Sequence, residues 1–205
     1  MASDNNIEQN RWLTSEASAV DSVLSKIDYA EAKGSMEMRG DVARLRRIAG
    51  RMPSDDPRAT AVAIELLVKA GLPLKEVHSD DGLTNGERAA IISLALHSAA
   101  HRRSYSPDGT SFGHAIGLKM REDEKSSIKT VMKSITFDDD LVSLSYDLSR
   151  AVRRLDDSIN IDYAVLTNDL ILFQNPEKRQ SVLNRWVKDY YRALYNYKEK
   201  SDSDE

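Results

Sequence analysis

The chain has 205 residues, 40% of them hydrophobic and 30% charged, with 33 acidic against 29 basic side chains and a formal net charge of -4. That length supports one large domain or two small ones with real cores. The negative balance argues against a uniformly basic nucleic-acid binder. The absence of cysteine excludes a disulfide scaffold, a thiolate metal site and a cysteine nucleophile, and it fits a reducing, cytoplasmic setting. The first ten residues are polar and lack the apolar stretch of a secretion signal. No apolar run approaches the roughly 18 residues that would span a bilayer, so no membrane partner is expected. Charge is unevenly placed. Acids dominate residues 1–33 and 198–205, and the body between them holds 24 basic and 23 acidic side chains. An anion-binding surface would therefore have to be a local patch.

The elements read as helices almost throughout, because alternating runs joined by hairpin turns are missing. A first helix is expected from Ile7 to about Lys33, with Leu13, Ala17, Val20, Leu24 and Ile27 along one side and Gly34 as its stop. A short second helix follows Gly40, ends at Gly50 and Pro53, and places Arg44, Arg47 and Arg51 along one basic face, with Arg46 and Arg58 close by. Asp56-Pro57 starts a third helix that runs to Gly71. Thr84 and Glu87 form a capping box, and the helix behind it, to about Arg103, is so apolar through residues 91–100 that it should be buried.

Residues 104–110 break the pattern. The expected organisation is an N-terminal helical half over 1–105, a C-terminal helical bundle over 106–197 and an acidic, disordered tail over 198–205. The fold class is all-α, two adjacent bundles with about nine helices. After an apolar turn at Phe112–Ile116, one helix is expected to carry Arg121, Lys125, Lys129 and Lys133 in a single ladder at four-residue spacing. Thr136 with Asp139 should cap the next helix, whose Leu141, Leu144, Leu148, Val152 and Leu155 form the clearest apolar stripe in the chain. Asp138, Asp139 and Asp140 sit at its positive end, and Arg150, Arg153 and Arg154 near its negative end. Asp162 starts a helix to Phe173, and Asn175-Pro176 starts the last one, which carries Arg185, Lys188 and Arg192 on another basic face.

Little in the chain suggests catalysis. His97 and His101 are four residues apart, yet the glutamate of the zinc-protease pattern is replaced by Ser98 and no third ligand has helpful spacing. Nucleophile elbows and phosphate-cradling glycine loops are absent. The basic faces remain. Each is readable as a solvated surface, and together they are readable as a curved surface that tracks a phosphate backbone without reading bases. Tyr190, Tyr191, Tyr195 and Tyr197 either close the bundle or stack bases.

Several local patterns, in order, resemble a known family. They are Arg39-Gly40 followed by Ala43-Arg44-Leu45-Arg46-Arg47; Phe112-Gly113-His114-Ala115-Ile116; Leu148 to Leu155 with its three arginines; Ile161-Asp162-Tyr163; Asn168-Asp169-Leu170; and Arg185-Trp186-Val187-Lys188-Asp189-Tyr190-Tyr191. This order resembles the CasB family, the small subunit of the type I-E CRISPR surveillance complex, Cascade. The resemblance implies a non-enzymatic, all-helical, cytoplasmic protein without cofactors, present in two copies beside the backbone and large subunits. It implies contacts to the crRNA, the target DNA and the displaced strand that favour the opened R-loop in antiviral defence. The candidate phosphate contacts are Arg44, Arg47, Arg51, Lys125, Lys129, Lys133, Arg150, Arg153 and Arg154. His114 stands where the family usually has arginine, so charge there would depend on pH. The rivals are a helical protein–protein adaptor with solvated basic faces and a metal-dependent hydrolase built on His97 and His101.

Overall fold

The computed structural model describes residues 12–100, 109–123 and 127–195. The expected helix start at Ile7, the boundary near residue 105, Lys125, His101, Tyr197 and the acidic tail lie outside them. Nine α-helices occur among the described residues: α1 (Ser15–Ala32), α2 (Met36–Leu45), α3 (Pro57–Lys69), α4 (Asn85–Ala99), α5 (Phe112–Glu122), α6 (Ile128–Ile135), α7 (Leu141–Val152), α8 (Tyr163–Phe173) and α9 (Pro176–Tyr195). The all-α reading stands. The only β pairing among these residues is an isolated bridge between Thr110 and Ile161, which ties the segment entering α5 to the segment entering α8.

Helix starts follow local side-chain chemistry. Asp56 accepts from the Ala59 amide, Asp162 from Val165, and Thr84 and Glu87 form the reciprocal capping box, at 3.0 and 2.7 Å. Four boundaries differ from expectation. Thr14 caps α1 by accepting from Ala17, so Leu13 precedes the helix. Ser35 caps α2, which begins at Met36 and runs through Gly40 rather than after it. α4 ends at Ala99, where Ala100 turns to extended backbone. Asp140, and not Thr136, caps α7: it accepts from the Ser143 amide, while Thr136 closes α6 by donating to the Lys133 carbonyl. A side chain next to the first free amide competes better than one several residues upstream.

α4 and α8 form the centre. α4 is buried from Ala89 to Ser98, and α8 buries Tyr163, Ala164, Leu166, Thr167, Asp169, Leu170 and Phe173. A helix apolar on every side must be covered on every side. α8 packs on α1, α4 and α9, and α4 also meets α1, α2, α3 and α7. His97 belongs to this interior, with its ring edge-to-face on Tyr163 at 5.1 Å, and no group of metal-ligating side chains occurs among the described residues.

The closest helix contact joins α5 to α9. A β-carbon on Gly113 would lie 2.1 Å from the Trp186 carbonyl oxygen, and one on Gly117 would lie 2.4 Å from that of Tyr190. The two glycines, one turn apart, let the helix backbones meet. Ser111, the cap of α5, also donates to Asp189 of α9 at 2.8 Å. α9 is held in turn by buried Asp169 of α8, which accepts from Trp186 Nε1 at 2.6 Å and from Arg185. Burial outweighs these two donors and pushes the Asp169 carboxyl up to about 6.

Asp138, in the turn between α6 and α7, has one carboxyl oxygen that is buried without a hydrogen-bond partner. Burial first, then Asp147, Asp140 and Asp139, push its pKa up to about 7.

Gly113→Ala and Gly117→Ala should each destabilise the protein by about 3 kcal/mol, because the nearest obstructing atom is in each case a backbone carbonyl oxygen of α9. Gly40→Ala, with nothing within 4 Å of an added carbon, should be neutral or stabilising by about 0.5–1 kcal/mol; urea midpoints separate the cases. For Asp138 the folded state holds the proton more tightly than the unfolded chain. The stabilisation is therefore complete below the ordinary carboxyl value and is lost as pH rises through about 7. The Tm advantage of Asp138→Asn over the parent should widen from about pH 4 to about pH 8, and an advantage that stays constant would refute the assignment.

Candidate nucleic-acid interface

The exposed side of α7 is narrow. Val142, Tyr146, Arg150 and Arg153 share it at helical spacing, while Leu144, Leu148, Ala151 and Val152 turn inward. On one border of this strip lie Ser145 and Ser149, covered by the turn after α2. There the Ser145 hydroxyl donates to the Arg51 carbonyl at 3.3 Å. Gly50, at φ +84°, lies so close that an added β-carbon would be 2.8 Å from Ser149 Cβ and 3.6 Å from Tyr146 Cα. Glycine is required there twice, for its left-handed backbone and for the missing carbon. Arg51 therefore flanks Tyr146 although 95 residues separate them in sequence. On the other border Arg154 donates to Ser127 at 3.0 Å and to the Arg150 carbonyl at 2.7 Å, which fastens the end of α7 to the start of α6.

The candidate cations divide clearly. Arg47, Arg51, Lys129, Lys133 and Arg153 are exposed, and none has a carboxylate within ion-pair distance among the described residues. Arg150 pairs with buried Asp147 at 2.8 Å, and its guanidinium lies 5.6 Å from the centre of the Tyr146 ring. Arg44 pairs with Asp41 at 2.8 Å, and Arg46 donates to the Ser98 carbonyl at 2.9 Å. The expected continuous face of Arg44, Arg47 and Arg51 does not form, because α2 ends at Leu45 and a 3-10 turn over Arg46–Ile48 redirects the chain. Arg47 and Arg51 are carried by that turn and the bend behind it.

The four-charge ladder is also overturned. Arg121 belongs to α5, and Lys129 and Lys133 belong to α6, a separate helix that begins after Asp123 leaves helical geometry. Lys129 and Lys133 keep their one-turn spacing on the exposed side of α6, opposite Ile128, Val131, Met132 and Ile135. Phe112–Ile116, read as a turn, is the first part of α5. His114 is half-buried, and desolvation lowers its pKa, opposed by Asp189 and assisted by Arg121, which favours the neutral ring.

The basic face of α9 is largely neutralised. Arg185 pairs with Asp169, and Arg192 with Asp189 at 3.2 Å, along a shallow cavity of about 500 Å³ that Lys188 also lines. Tyr190 is core, whereas Tyr191 and Tyr195 are exposed and stack on each other at 5.9 Å. Sequence reasoning did not single out Tyr146, an exposed aromatic that sits off the leucine stripe of α7, one turn before Arg150.

The family described as CRISPR-associated protein Cse2 matches residues 41–191. CasB from Thermobifida fusca is similar in structure, with a TM-score of 0.67 at 21% identity, over 87% of this chain and 99% of that one. A Cse2-family protein from Thermus thermophilus gives 0.62 at 21% identity, over 85% and 98%. A chain of a CRISPR RNA-guided surveillance complex gives 0.65 at 21% identity, over 91% and 99%. Among curated protein sequences none matches. Structural likeness at this identity establishes the shared helical fold, and the family match spans most of the chain, so the chain belongs to the CRISPR-associated Cse2 family, the CasB family that its motifs resemble.

Proposed function

We propose that the chain is the non-catalytic small subunit of a type I-E CRISPR surveillance complex, Cascade, working in the cytoplasm. In this reading two copies lie beside the backbone and large subunits and hold the crRNA–target hybrid and the displaced strand by their phosphates. Membership in the Cse2 family and the likeness to a surveillance-complex chain support the assembly. The observation that carries the nucleic-acid role is the exposed side of α7, which holds Arg150 and Arg153, with the Arg51 backbone docked on Ser145 at one border and Arg154 on the other.

The physical case is one of small differences. Exchanging a DNA duplex for a guide–target hybrid is nearly balanced in free energy, so a few backbone contacts tip it towards the open R-loop. Each contacted phosphate releases counterions and steepens the fall of log K with log salt, by about 0.9 on duplex and about 0.7 on single strands. Arg47, Arg51, Arg153, Lys129 and Lys133 are the principal contacts, because no carboxylate lies within ion-pair distance of them among the described residues. Arg150 and Arg154 are held in place by Asp147 and Ser127. Arg44, tied to Asp41, is secondary, and Lys125 joins the Lys129 and Lys133 group by sequence alone.

Arg51→Glu with Arg153→Glu should weaken target binding by the assembled complex at least tenfold and reduce the magnitude of its salt slope by about 1.5, two contacts' worth. Lys129→Glu with Lys133→Glu should do the same if that face tracks a strand. Unchanged affinity and slope in a folded, assembled complex would overturn the role. Assembly that also resists RNase and DNase would favour the protein–protein adaptor.

A further inference from the structure

We infer that Tyr146 is a stacking residue for an unpaired nucleobase, so that the strip on α7 takes single-stranded nucleic acid in preference to duplex. This rests on the reading of the strip as a nucleic-acid contact and adds to it a specific ligand class.

An exposed tyrosine alone is ordinary; the surroundings of this one are not. It is 58% exposed, and Val142, one turn before it on the same side, is 56% exposed. The Arg150 guanidinium covers the ring at 5.6 Å from its centre. The backbone of Gly50 lies beside its Cα, 3.6 Å from where an added glycine β-carbon would stand, and the Arg51 carbonyl accepts from the adjacent Ser145. Arg153 follows two turns along, about 10 Å down the helix. The result is an aromatic face set among cations, the combination that binds single strands: cations follow the phosphates while a base stacks on the ring. A duplex keeps its bases stacked on each other and offers the strip only its backbone. Stacking needs no base-edge hydrogen bonds, only the ring itself and cations beside it for the phosphates.

The test uses the full chain and three probes: a short single-stranded DNA, an abasic deoxyribose-phosphate strand of equal length, and the matching duplex. The parent should bind the single strand about 5- to 100-fold more tightly than the abasic strand, the worth of one stacked base. Tyr146→Ala should remove that preference without changing the salt slope or duplex binding, and Tyr146→Phe and Tyr146→Trp should retain it. Arg51→Glu with Arg153→Glu should instead weaken all three probes and flatten the slope. A Tyr146→Ala variant that keeps the preference, or loses duplex affinity equally, overturns the stacking role while leaving the phosphate contacts standing. Salt-independent binding, or none, to all three probes overturns the nucleic-acid reading and the stacking role together.

Discussion

The contact on which the C-terminal part of the molecule depends is the backbone-to-backbone crossing of α5 and α9. Gly113 and Gly117 bring the helices closer than any side chain would permit. One polar link spans the crossing, from Ser111 at the cap of α5 to Asp189, and two more tie α9 to α8, where Asp169 receives Trp186 and Arg185 closes over the same carboxylate. Because α8 is buried against α1 and α4, the position of α9, and through it of α5, is referred to the centre of the protein. A buried carboxylate is costly unless its hydrogen bonds are met, so Asp169 tolerates little freedom in Trp186.

A protein with more acids than bases still presents a cationic strip, because many of its carboxylates already have structural work. Asp56, Glu87, Asp140 and Asp162 cap helices, and Asp41, Asp81, Asp147, Asp169 and Asp189 hold arginines. Arg47, Arg51, Arg153, Lys129 and Lys133 are left facing solvent. Net charge is therefore a poor guide to this surface, and the field that a strand would meet is local.

Much of the fold was legible in the sequence. Capping chemistry is local, so Asp56-Pro57, Thr84 with Glu87, Asp162, and Asn175-Pro176 announced their helices without knowledge of the rest. The leucine stripe of α7 and the apolar run of α4 specified buried faces for the same reason. Errors arose where two signals competed within a few residues. Gly40 read as a boundary although Ser35 had already started α2, and four-residue spacing from Arg121 to Lys133 suggested one helix where the chain makes two.

The sequence by itself determined the all-helical class, the family resemblance later matched over residues 41–191, and the list of available cations. Each of these follows from local spacing or residue type. Only the tertiary structure decided which cations are neutralised, that Gly113 and Gly117 are there for a helix crossing, and that Arg51 lies beside Tyr146. Those depend on pairs far apart in the chain, brought together by packing, and helical periodicity carries no information about them.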